Sequence, residues 1–268
     1  MSVTVQIRKI DLVSSMQQIT ADKVALEAPV NIFINDEYVI TLLSTPSMQK
    51  ELSIGWLFTE NVLQSVDQIA QISTTEDTVK VTTHKPIEKK KLQTVSVSRL
   101  LTTACGLSTR KFFQVIGQQN WSPIESSLQI EAHQLPQMME ILNQSQLFQT
   151  TGGVHAAALF SVNQAVFLAE DVGRHNAVDK VIGAGLQAGI NFSESILVSS
   201  GRQPADMVLK AARMGIPIVA SRAAPIRSGI IAADKTGVTL VCFVRDQRMN
   251  VYTHHNRILT RTKIKKVR

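Results

Sequence analysis

The chain of 268 residues can form one large domain or two small ones, and its 44% hydrophobic and 18% charged residues exclude a disordered or fibrous protein. No segment approaches the ~20 apolar residues that span a bilayer, and residues 1–15 lack the apolar run of a signal peptide, which predicts a cytoplasmic protein with no membrane partner. The net charge of +7 suits an anionic partner, but 5% aromatic residues are too few to favour a nucleic-acid binder.

The first predicted elements lie in residues 29–63. Residues 29–43 alternate apolar and polar side chains around Asn35-Asp36, which predicts a β-hairpin with its turn at these two residues. Thr45-Pro46 then offers a capping hydroxyl and a proline suited to the first helical position. We therefore expect an amphipathic helix that begins at Pro46. Its apolar residues recur at Met48, Leu52, Trp56 and Leu63.

Strand signals return in two short runs rich in β-branched residues, at residues 78–83 and 92–98. The two runs flank three lysines at residues 89–91 and predict another strand pair. A helical pattern of apolar residues begins at Glu131.

The second half of the chain alternates between two kinds of segment. Apolar runs predict strands at residues 165–169, 195–199, 216–220 and 238–244. Helical patterns separate them at residues 176–188, 205–214 and 226–234. This βαβα order predicts a largely parallel or mixed sheet with helices on both faces. We place a boundary near Ser126, so that residues 1–126 form a smaller N-terminal α+β subdomain and residues 127–268 an α/β domain.

Arginine recurs in the loops that follow these predicted strands. In βα units the ligand is usually bound by such loops and by the free N–H groups of helix N-termini. Guanidinium groups bind phosphate oxygens in pairs, so the sequence predicts a diphosphate site at one edge of the sheet. The alternative is that each arginine caps a helix or pairs with Asp171, Asp179, Asp206 or Asp246. The arginines in question are Arg174, Arg202, Arg222, Arg245 and Arg248.

Two groups of glycines lead to different predictions. The segment Thr151-Gly152-Gly153-Val154-His155 precedes an apolar run, and its glycines permit a close approach of the backbone to a ligand. His155 is either a ligand contact or a core histidine. Gly183, Gly185 and Gly189 have the spacing of a dinucleotide fingerprint, but they lie late in a helical pattern. We assign them to close packing and to the end of the helix.

The two cysteines of the chain have contrasting surroundings. Cys105 lies in a short polar stretch next to Gly106, and nearby Arg110 and Lys111 favour its thiolate. Cys242 lies in an apolar strand, where a thiol acts as a small hydrophobe. Because two cysteines are too few for a disulfide framework, we expect Cys105 to be a free reactive thiol and Cys242 to be inert.

Five sequence blocks closely resemble the FdhD family of formate dehydrogenase accessory proteins, and the resemblance covers nearly the whole chain after about Leu26. The blocks are Glu170-Asp171-Val172-Gly173-Arg174-His175-Asn176-Ala177-Val178-Asp179-Lys180, Thr151-Gly152-Gly153-Val154-His155-Ala156-Ala157-Ala158, Ser199-Ser200-Gly201-Arg202, Asn250-Val251-Tyr252-Thr253-His254 and residues 243–248. The resemblance implies a cytidine deaminase-like fold. It also implies a sulfurtransferase that carries sulfur from a cysteine desulfurase to the bis(molybdopterin guanine dinucleotide) molybdenum cofactor of formate dehydrogenase.

The resemblance also implies roles for individual residues. Cys105 would carry the sulfur as a persulfide, and the guanylated molybdenum cofactor would be bound cargo, with GDP as its analogue. The implied cofactor-binding segment is Phe243, Val244, Arg245, Asp246, Gln247 and Arg248. The loops at the strand ends add predicted contacts at Thr151, Gly152, Gly153, His155, Asp171, Arg174, His175, Asn176, Ser200, Gly201, Arg202 and Ser221. No metal ligand is predicted, and a homodimer is left open.

The sequence departs from the family pattern in three places. Ser108 stands where many members have a second loop cysteine, so we expect a carrier with a single reactive thiol. Residues 201–206 and 223–226 also differ from the usual family blocks, which changes the expected contacts with guanine and phosphate.

Three other functions compete with sulfur transfer. A zinc deaminase would need a Glu two residues after its His ligand and a Cys-x-x-Cys pair. In this chain Ala157 stands two residues after His155, and the sequence has no Cys-x-x-Cys pair. A binding module that escorts the guanylated cofactor would need the arginines but not Cys105. A basic nucleic-acid binder lacks the aromatic residues that such proteins interleave with their basic residues.

Overall fold

The computed structural model describes residues 1–88, 121–161 and 166–260, which form a mixed α/β fold with four sheets. The first sheet is a hairpin of β1 (Ser2–Asp11) and β2 (Met16–Ala25), which pair in antiparallel register over ten positions. We call this hairpin the N-terminal arm. No element was predicted there, although Val3, Val5 and Ile7 alternate with polar residues as in a strand.

A four-stranded sheet follows, with the order β4-β3-β6-β5. The predicted hairpin is confirmed, because Asn35 and Asp36 connect its antiparallel strands with φ of 48° and 63°, the left-handed values that a two-residue hairpin turn needs. The predicted strand at residues 78–83 is also confirmed, but β5 is its antiparallel partner, and residues 92–98 lie outside the described residues. The strands are β3 (Ala28–Ile34), β4 (Glu37–Ser44), β5 (Ile69–Thr74) and β6 (Thr78–Thr83).

Helix α1 (Gln49–Thr59) begins three residues later than predicted. Thr45 does not cap it, because the Thr45 N–H donates to Asp171 Oδ2 at 3.1 Å and the hydroxyl accepts the Val172 N–H at 3.2 Å. The predicted amphipathic character is also wrong: every residue from Leu52 to Thr59 is buried. Helix α1 is therefore an internal helix and not a surface one.

The middle of the described chain is built from short elements. These are β7 (Ile130–Glu131), α2 (Gln134–Met139), a 3₁₀ segment (Glu140–Gln144) and α3 (Gln146–Thr151). The helical pattern predicted from Glu131 is thus split at Met139 and again at Ser145, whose side chain caps α3.

A six-stranded mixed sheet forms the centre of the second half, with the order β13-β12-β11-β10-β8-β9. The predicted alternation of strands and helices is confirmed, although β8 and β13 were not assigned as strands from the sequence. The strands are β8 (His155–Ser161), β9 (Val166–Asp171), β10 (Ser195–Ser199), β11 (Ile218–Ser221), β12 (Thr239–Arg245) and β13 (Arg248–Val251). The helices are α4 (Arg174–Gln187), α5 (Ala205–Arg213) and α6 (Arg227–Thr236), and a short β14 (Ile258–Leu259) pairs with β7.

Helices cover both faces of this sheet, as predicted. Alternate residues of β8, such as Ala157 and Leu159, pack into one core with α1, α4, α5 and α6. The intervening residues Ala156 and Ala158 pack with α2 and the 3₁₀ segment on the other face. The larger core also contains Val30 and Ile32 of β3, so it continues across residue 126. The predicted division into two units at that residue stays a prediction.

Helices α1 and α4 cross with their backbones in contact. A Cβ added at Gly55 would lie 1.8 Å from the Asp179 carbonyl oxygen, and one added at Gly183 would lie 1.9 Å from the Glu51 carbonyl oxygen. Only glycine fits at both positions. The packing role predicted for Gly183 is confirmed, and Gly189, with φ of 65°, lies just past the end of α4. Among the helices of the described ranges, none is long and apolar enough to cross a membrane.

Candidate functional site at the arginine edge

The strand directions bring the predicted loops together. Strands β10, β11 and β12 are parallel to one another, and β9 runs the same way because β8 is antiparallel to both β9 and β10. The carboxyl ends of four strands and the first residue of β8 therefore share one edge of the sheet. We call it the arginine edge. Its predicted residues include His155, Arg174, Arg202, Arg222 and Arg245.

Asp171 ends β9 and is fully buried beneath this edge. Its Oδ2 lies 2.7 Å from Lys180 Nζ, and both side chains are completely inaccessible to solvent. Its Oδ1 accepts the Gly173 N–H at 2.8 Å and Asn176 Nδ2 at 3.0 Å. Burial lowers the pKa of Lys180, and the neighbouring Asp171 carboxylate opposes that shift. Asp171 therefore shapes the loop before α4 from inside, and its oxygens are occupied by protein donors.

Two neighbours of Asp171 also have internal partners. The Glu170 carboxylate accepts the Leu147 N–H at 2.9 Å and the Ser145 hydroxyl, so it caps the N-terminus of α3. The Asn176 amide donates to the Leu43 carbonyl at 2.8 Å as well as to Asp171. Glu170, Asp171 and Asn176 thus fix the backbone of the edge, and the side chains that remain for a ligand are those of Arg174 and His175.

Arg174 is the first residue of α4, and the N-cap residue Gly173 provides no side-chain cap. The first turn holds no acidic residue, so the positive end of the helix dipole and the guanidinium add together. The side chain of Arg174 packs over Gly201, where an added Cβ would lie 2.9 Å from Arg174 Cβ. Its buried Nε has no acceptor among the described residues. An anion at this point would supply the missing acceptor.

His155 lies half-buried at the start of β8, with Nδ1 at 3.2 Å from Ser200 Oγ. Ser200 Oγ also accepts the Ala156 N–H at 3.1 Å. Burial lowers the pKa of His155, and the positive charges of Arg174 and Arg202 lower it further, against the carboxylate of Asp171. His155 is therefore neutral at pH 7, and it lies between two arginines that bear no carboxylate partner among the described residues.

His175 follows in the first turn of α4, with Nε2 at 3.5 Å from Asp206 Oδ2. Burial lowers its pKa to about 4, although the Asp206 carboxylate acts in the opposite direction. His175 is neutral at pH 7, so its contact with Asp206 is a weak polar contact and not an ion pair. Arg202 lies nearby in the loop after β10 and is exposed.

The loops after β10 and β11 are joined by buried hydrogen bonds. Gln203 Nε2 donates to Ser199 Oγ at 2.7 Å and to the Gly201 carbonyl at 2.9 Å. Ser221 Oγ donates to the same carbonyl at 2.7 Å. Ser221 is completely buried, so it supports the loop that presents Arg202 and does not itself reach the surface. Gln203 was not predicted as a site residue. It lies in residues 201–206, where the sequence differs from the usual family block.

A cleft of about 500 Å³ lies at the other end of the arginine edge. Arg222 crosses it, donating from NH1 to Asn143 Oδ1 at 2.7 Å and from NH2 to the Met139 carbonyl at 2.9 Å. The exposed Glu140 carboxylate lies 3.8 Å from Arg222 NH2. This contribution of the 3₁₀ segment was not predicted from the sequence. The cleft is lined by Pro136, Met139, Glu140, Asn143, Arg222, Val244, Arg245 and Asp246.

The predicted cofactor-binding segment forms one wall of this cleft. Phe243 has φ of 55° where the pairing of β12 with β13 shifts register, a strained conformation for an aromatic residue. Its N–H donates to the Ala223 carbonyl at 3.1 Å, which ties β12 to the loop after β11. Val244, Arg245 and Asp246 reach the cleft, whereas Gln247 and Arg248 are exposed at the turn into β13.

The glycines of the predicted segment before β8 end a helix. Gly152 has φ of 63° and takes the left-handed position after α3, and the Gly153 N–H donates to Thr151 Oγ1 at 3.1 Å. A Cβ added at Gly153 would lie 3.3 Å from Ala25 Cβ at the base of the N-terminal arm. This segment thus joins three parts of the molecule: helix α3, the arm and the start of β8 at His155.

Pairing with aspartates was the alternative role for the edge arginines, and no such pair occurs among the described residues. Asp171 pairs with Lys180, and Asp206 faces His175. Asp179 is buried with Lys210, whose Nζ lies 3.0 Å from both of its carboxylate oxygens. Burial raises the pKa of Asp179, and Lys210 opposes that shift. Asp171 and Asp179 are therefore neutralised by buried lysines, and Arg174 and Arg202 have no carboxylate partner among the described residues.

The structure describes one of the two cysteines, Cys242. Cys105 and Ser108 lie outside the described residues. Cys242 is completely buried in β12, and burial raises the pKa of its thiol to about 12. The prediction that Cys242 is a core residue is confirmed.

Comparisons with known proteins agree with this architecture. The family model described as the FdhD/NarQ family matches residues 25–259. The sulfur carrier protein FdhD of Methanothermobacter thermautotrophicus is 36% identical over 240 residues, which cover 89% of this chain and 92% of that protein. The protein of the same name from Sulfolobus acidocaldarius is 37% identical over 243 residues, covering 88% and 91%. A crystal structure from Desulfotalea psychrophila, described as a formate dehydrogenase accessory protein, matches with a TM-score of 0.77 and 27% identity, covering 96% of this chain and 99% of that one.

Proposed function

The chain belongs to the FdhD/NarQ family, and from this premise we propose that it is a sulfur carrier that serves a formate dehydrogenase. The proposal is supported by the name of its relatives, sulfur carrier protein FdhD, and by the description of the similar crystal structure as a formate dehydrogenase accessory protein. The cytoplasm, where thiols stay reduced, is the location we propose for it.

The observation that carries the proposal concerns Cys242. A sulfur carrier needs a thiolate that a donor protein can reach. The chain has two cysteines, and Cys242 is inaccessible, with a thiol that stays protonated at neutral pH. The carrier role therefore falls to Cys105, whose sequence neighbours Arg110 and Lys111 favour a thiolate.

The proposed loading step is a transfer between thiols. The Cys105 thiolate attacks the outer sulfur of a persulfide on a cysteine desulfurase, a new S–S bond forms, and the donor cysteine leaves as a thiolate. The donor cysteine and Cys105 exchange one sulfur atom, with no net oxidation or reduction of the two proteins. In the second transfer the S–S bond of the Cys105 persulfide breaks, and the Cys105 sulfur keeps the bonding electrons as a thiolate. The outer sulfur becomes a ligand of the molybdenum, and the molybdenum supplies the electron pair of the new bond.

We propose that the arginine edge holds the bis(molybdopterin guanine dinucleotide) molybdenum cofactor during this transfer. The N-terminus of α4, which has no side-chain cap, and Arg174 Nε, which has no acceptor in the part of the chain that the structure describes, fit a phosphate group. The cleft beside Arg222 and Arg245 is large enough for a purine base, since its volume is about 500 Å³. GDP combines a diphosphate with guanine and is the simplest probe of both parts.

We also propose that the six-stranded sheet is of the cytidine deaminase type. The support is the succession of an antiparallel pair, β8 and β9, and three parallel strands joined by helices. Deaminase chemistry does not follow from that likeness, because Ala156 and Ala157 follow His155 and the sequence has no Cys-x-x-Cys pair.

Mass spectrometry tests the carrier role. After incubation with a cysteine desulfurase and cysteine, we expect the full chain to gain about 32 Da, the mass of one sulfur atom, and peptide mapping to place it on Cys105. Cys242→Ala is the matched control and should load normally. An adduct on Cys242, or no adduct on the wild type, would contradict the proposal.

An escort that holds the cofactor without moving sulfur is the second candidate, since the arginine edge would serve it equally well. Activation of a formate dehydrogenase in cells that lack their own accessory protein separates the two. A sulfur carrier loses activation as Cys105→Ala, whereas an escort keeps it. Ser108→Ala should keep nearly full activation, because a single-thiol carrier needs no second group in the loop.

A further inference from the structure

The buried side chain of Gln203 lies beneath the arginine edge and has no role in the proposed function. Gln203 is 1% exposed and follows Arg202 in the loop after β10. The neighbouring loop holds its backbone: the Gln203 N–H donates to the Ala224 carbonyl at 3.0 Å, and the Gln203 carbonyl accepts the Ile226 N–H at 3.0 Å. These contacts fix the path of the chain without the side chain, so the side-chain amide can serve another purpose.

The amide of Gln203 is directed at the Gly201 carbonyl. Its Nε2 donates to that carbonyl at 2.9 Å and to Ser199 Oγ at 2.7 Å, so both amide hydrogens are used. The Ser221 hydroxyl accepts the Ala223 N–H at 3.0 Å and donates to the same Gly201 carbonyl at 2.7 Å, which fills its second lone pair. A carbonyl can only accept, so the nitrogen of the Gln203 amide must face it. Two buried donors therefore hold the Gly201 carbonyl toward the interior.

The inward carbonyl decides where the next N–H points. In a planar trans peptide the C=O and the following N–H point in opposite directions. The peptide between Gly201 and Arg202 is trans, so the Arg202 N–H is directed away from the buried Gln203 amide and toward the surface. In the three ranges that the structure describes, this N–H has no acceptor. Because Gly201 lacks a Cβ, the peptide would rotate easily if the two buried donors did not hold it.

A second donor without an acceptor lies beside this peptide. A Cβ added at Gly201 would lie 2.9 Å from Arg174 Cβ and 3.0 Å from Arg174 Cδ, the atom that carries Nε. The buried Arg174 Nε has no acceptor among the residues described. One phosphate group has several oxygens, so it can accept from a guanidinium and from a backbone N–H at once. The Arg174 Nε and the Arg202 N–H together match a phosphate of the proposed ligand.

We propose that Gln203 is a positioning residue, which acts through the Gly201 carbonyl to turn the Arg202 N–H toward a phosphate of the bound guanine nucleotide. The inference rests on the proposed function, since the phosphate is that of the cofactor proposed to bind at the arginine edge. It assigns to this edge a main-chain contact in addition to the arginine side chains. Without the Gln203 amide, Ser221 alone orients the peptide, so ligand binding should weaken but not disappear.

Removal of the Gln203 amide tests the role. Gln203→Met keeps an unbranched side chain of similar length without the donor, and we expect it to weaken GDP binding about 5- to 20-fold in calorimetry. Ser195→Ala is the matched control, because Ser195 is buried at the opposite end of β10 and its hydroxyl donates to the Asn191 carbonyl at 2.8 Å. The control should lower the stability measured by denaturant titration to a similar extent and leave GDP binding unchanged.

Gln203→Glu distinguishes a hydrogen-bond donor from a side chain that only fills space. A protonated carboxyl donates to the Gly201 carbonyl as the amide does, whereas a carboxylate can only accept. The GDP affinity of this variant relative to wild type should therefore be close to one at low pH and should fall as the pH rises through the pKa of the introduced carboxyl. Division by the wild-type affinity removes the titration of the phosphate and of His155, which both proteins share.

Nuclear magnetic resonance follows the proposed contact itself. The Arg202 amide proton should move downfield when GDP binds to the wild type, because it gains a phosphate acceptor, and it should move less in Gln203→Met. A wild type that does not bind GDP would overturn the cofactor site and this inference together. If the wild type binds GDP, three results would overturn the positioning role alone: equal affinity in Gln203→Met, a relative affinity of Gln203→Glu that is independent of pH, or an Arg202 amide proton that does not move.

Discussion

The two ends of the arginine edge present their arginines in different ways. At the end formed by β8, β9 and β10, which we call the Arg174 end, the polar groups beneath the surface satisfy one another, and Arg174 keeps a buried Nε that has no acceptor in the described ranges. At the cleft, Arg222 already donates to Met139 and Asn143. The same residue type is thus available for a ligand at one end and largely committed at the other. Charge alone does not identify a binding residue.

The largest effect should come from removing the buried carboxylate below the Arg174 end. Asp171→Ala leaves the Lys180 ammonium buried without its partner and frees the N–H groups of Gly173 and Asn176, so we expect unfolding to become easier by about 3–5 kcal/mol. Denaturant titration measures it. The double variant Asp171→Asn/Lys180→Met should recover part of the loss, since it leaves no unpaired charge. A change below about 1 kcal/mol in Asp171→Ala would show that the pair is not what holds this end.

The next largest effect should appear when Arg174 and Arg222 are replaced in turn. Arg174→Ala should weaken GDP binding about 10- to 100-fold in calorimetry, because a charge-assisted hydrogen bond contributes about 1.5–3 kcal/mol. Arg222→Ala should weaken it only a few-fold, about 0.5–1 kcal/mol, because two of its N–H groups already have protein acceptors and its charge faces Glu140. Arg213, which bonds to Thr59 and Glu60 at the far end of α5, is the matched control and should change nothing. Equal losses at Arg174 and Arg222 would remove the distinction between the ends.

Lowering the pH should strengthen GDP binding at the Arg174 end by about two- to fivefold, a smaller change than the loss expected for Arg174→Ala. The pKa of His155 is lowered by burial and by two arginines, and a bound phosphate offsets their charges, so the complex holds more protons than the free protein. Binding then tightens as the pH falls toward the pKa that His155 has in the complex. Comparison with His155→Gln isolates the histidine, because titration of the phosphate itself is common to both proteins. Parallel pH profiles for the two would contradict a contact between His155 and the anion.

The smallest effect is expected at the cleft. Glu140 is 67% exposed and lies 3.8 Å from Arg222, so Glu140→Gln should change the free energy of unfolding by less than about 0.5 kcal/mol. Removing its negative charge should improve GDP binding by no more than about twofold, and less at high salt. A larger gain would mean that Arg222 is held back from the ligand mainly by Glu140, and the contrast between the two ends would then be one of charge rather than of hydrogen bonding.

Local signals in the sequence were enough to predict much of the fold. The turn at Asn35-Asp36 and the alternation of strands and helices after residue 165 depend on backbone preferences and apolar periods, which act over a few residues. Helix α1 was misplaced because Thr45 is used by Asp171, 126 positions away in the chain. Its burial on all sides reflects the crossing with α4, which no local pattern reveals.

The clustering of the arginines at one edge of the sheet was predicted, but the orientation of the polar residues around them was not. The arginines share one edge because strand direction follows from the βαβ order. Which polar residues face inward could not be read from the sequence: Asp171 and Ser221 were expected at the ligand and lie fully buried. Asn143 and Glu140 reach the cleft from a segment that is distant in sequence, and the Gln203 backbone joins two loops through hydrogen bonds with Ala224 and Ile226.

The contact between Gly55 and Gly183 has a consequence for how the molecule unfolds. Because the two backbones touch, neither helix can tilt or slide without separating the other from the core, and α1 belongs to the first half of the chain whereas α4 belongs to the second. Local opening of one half therefore exposes the other. We expect one cooperative unfolding transition, with the amides of α1 and α4 among the last to exchange with solvent deuterium.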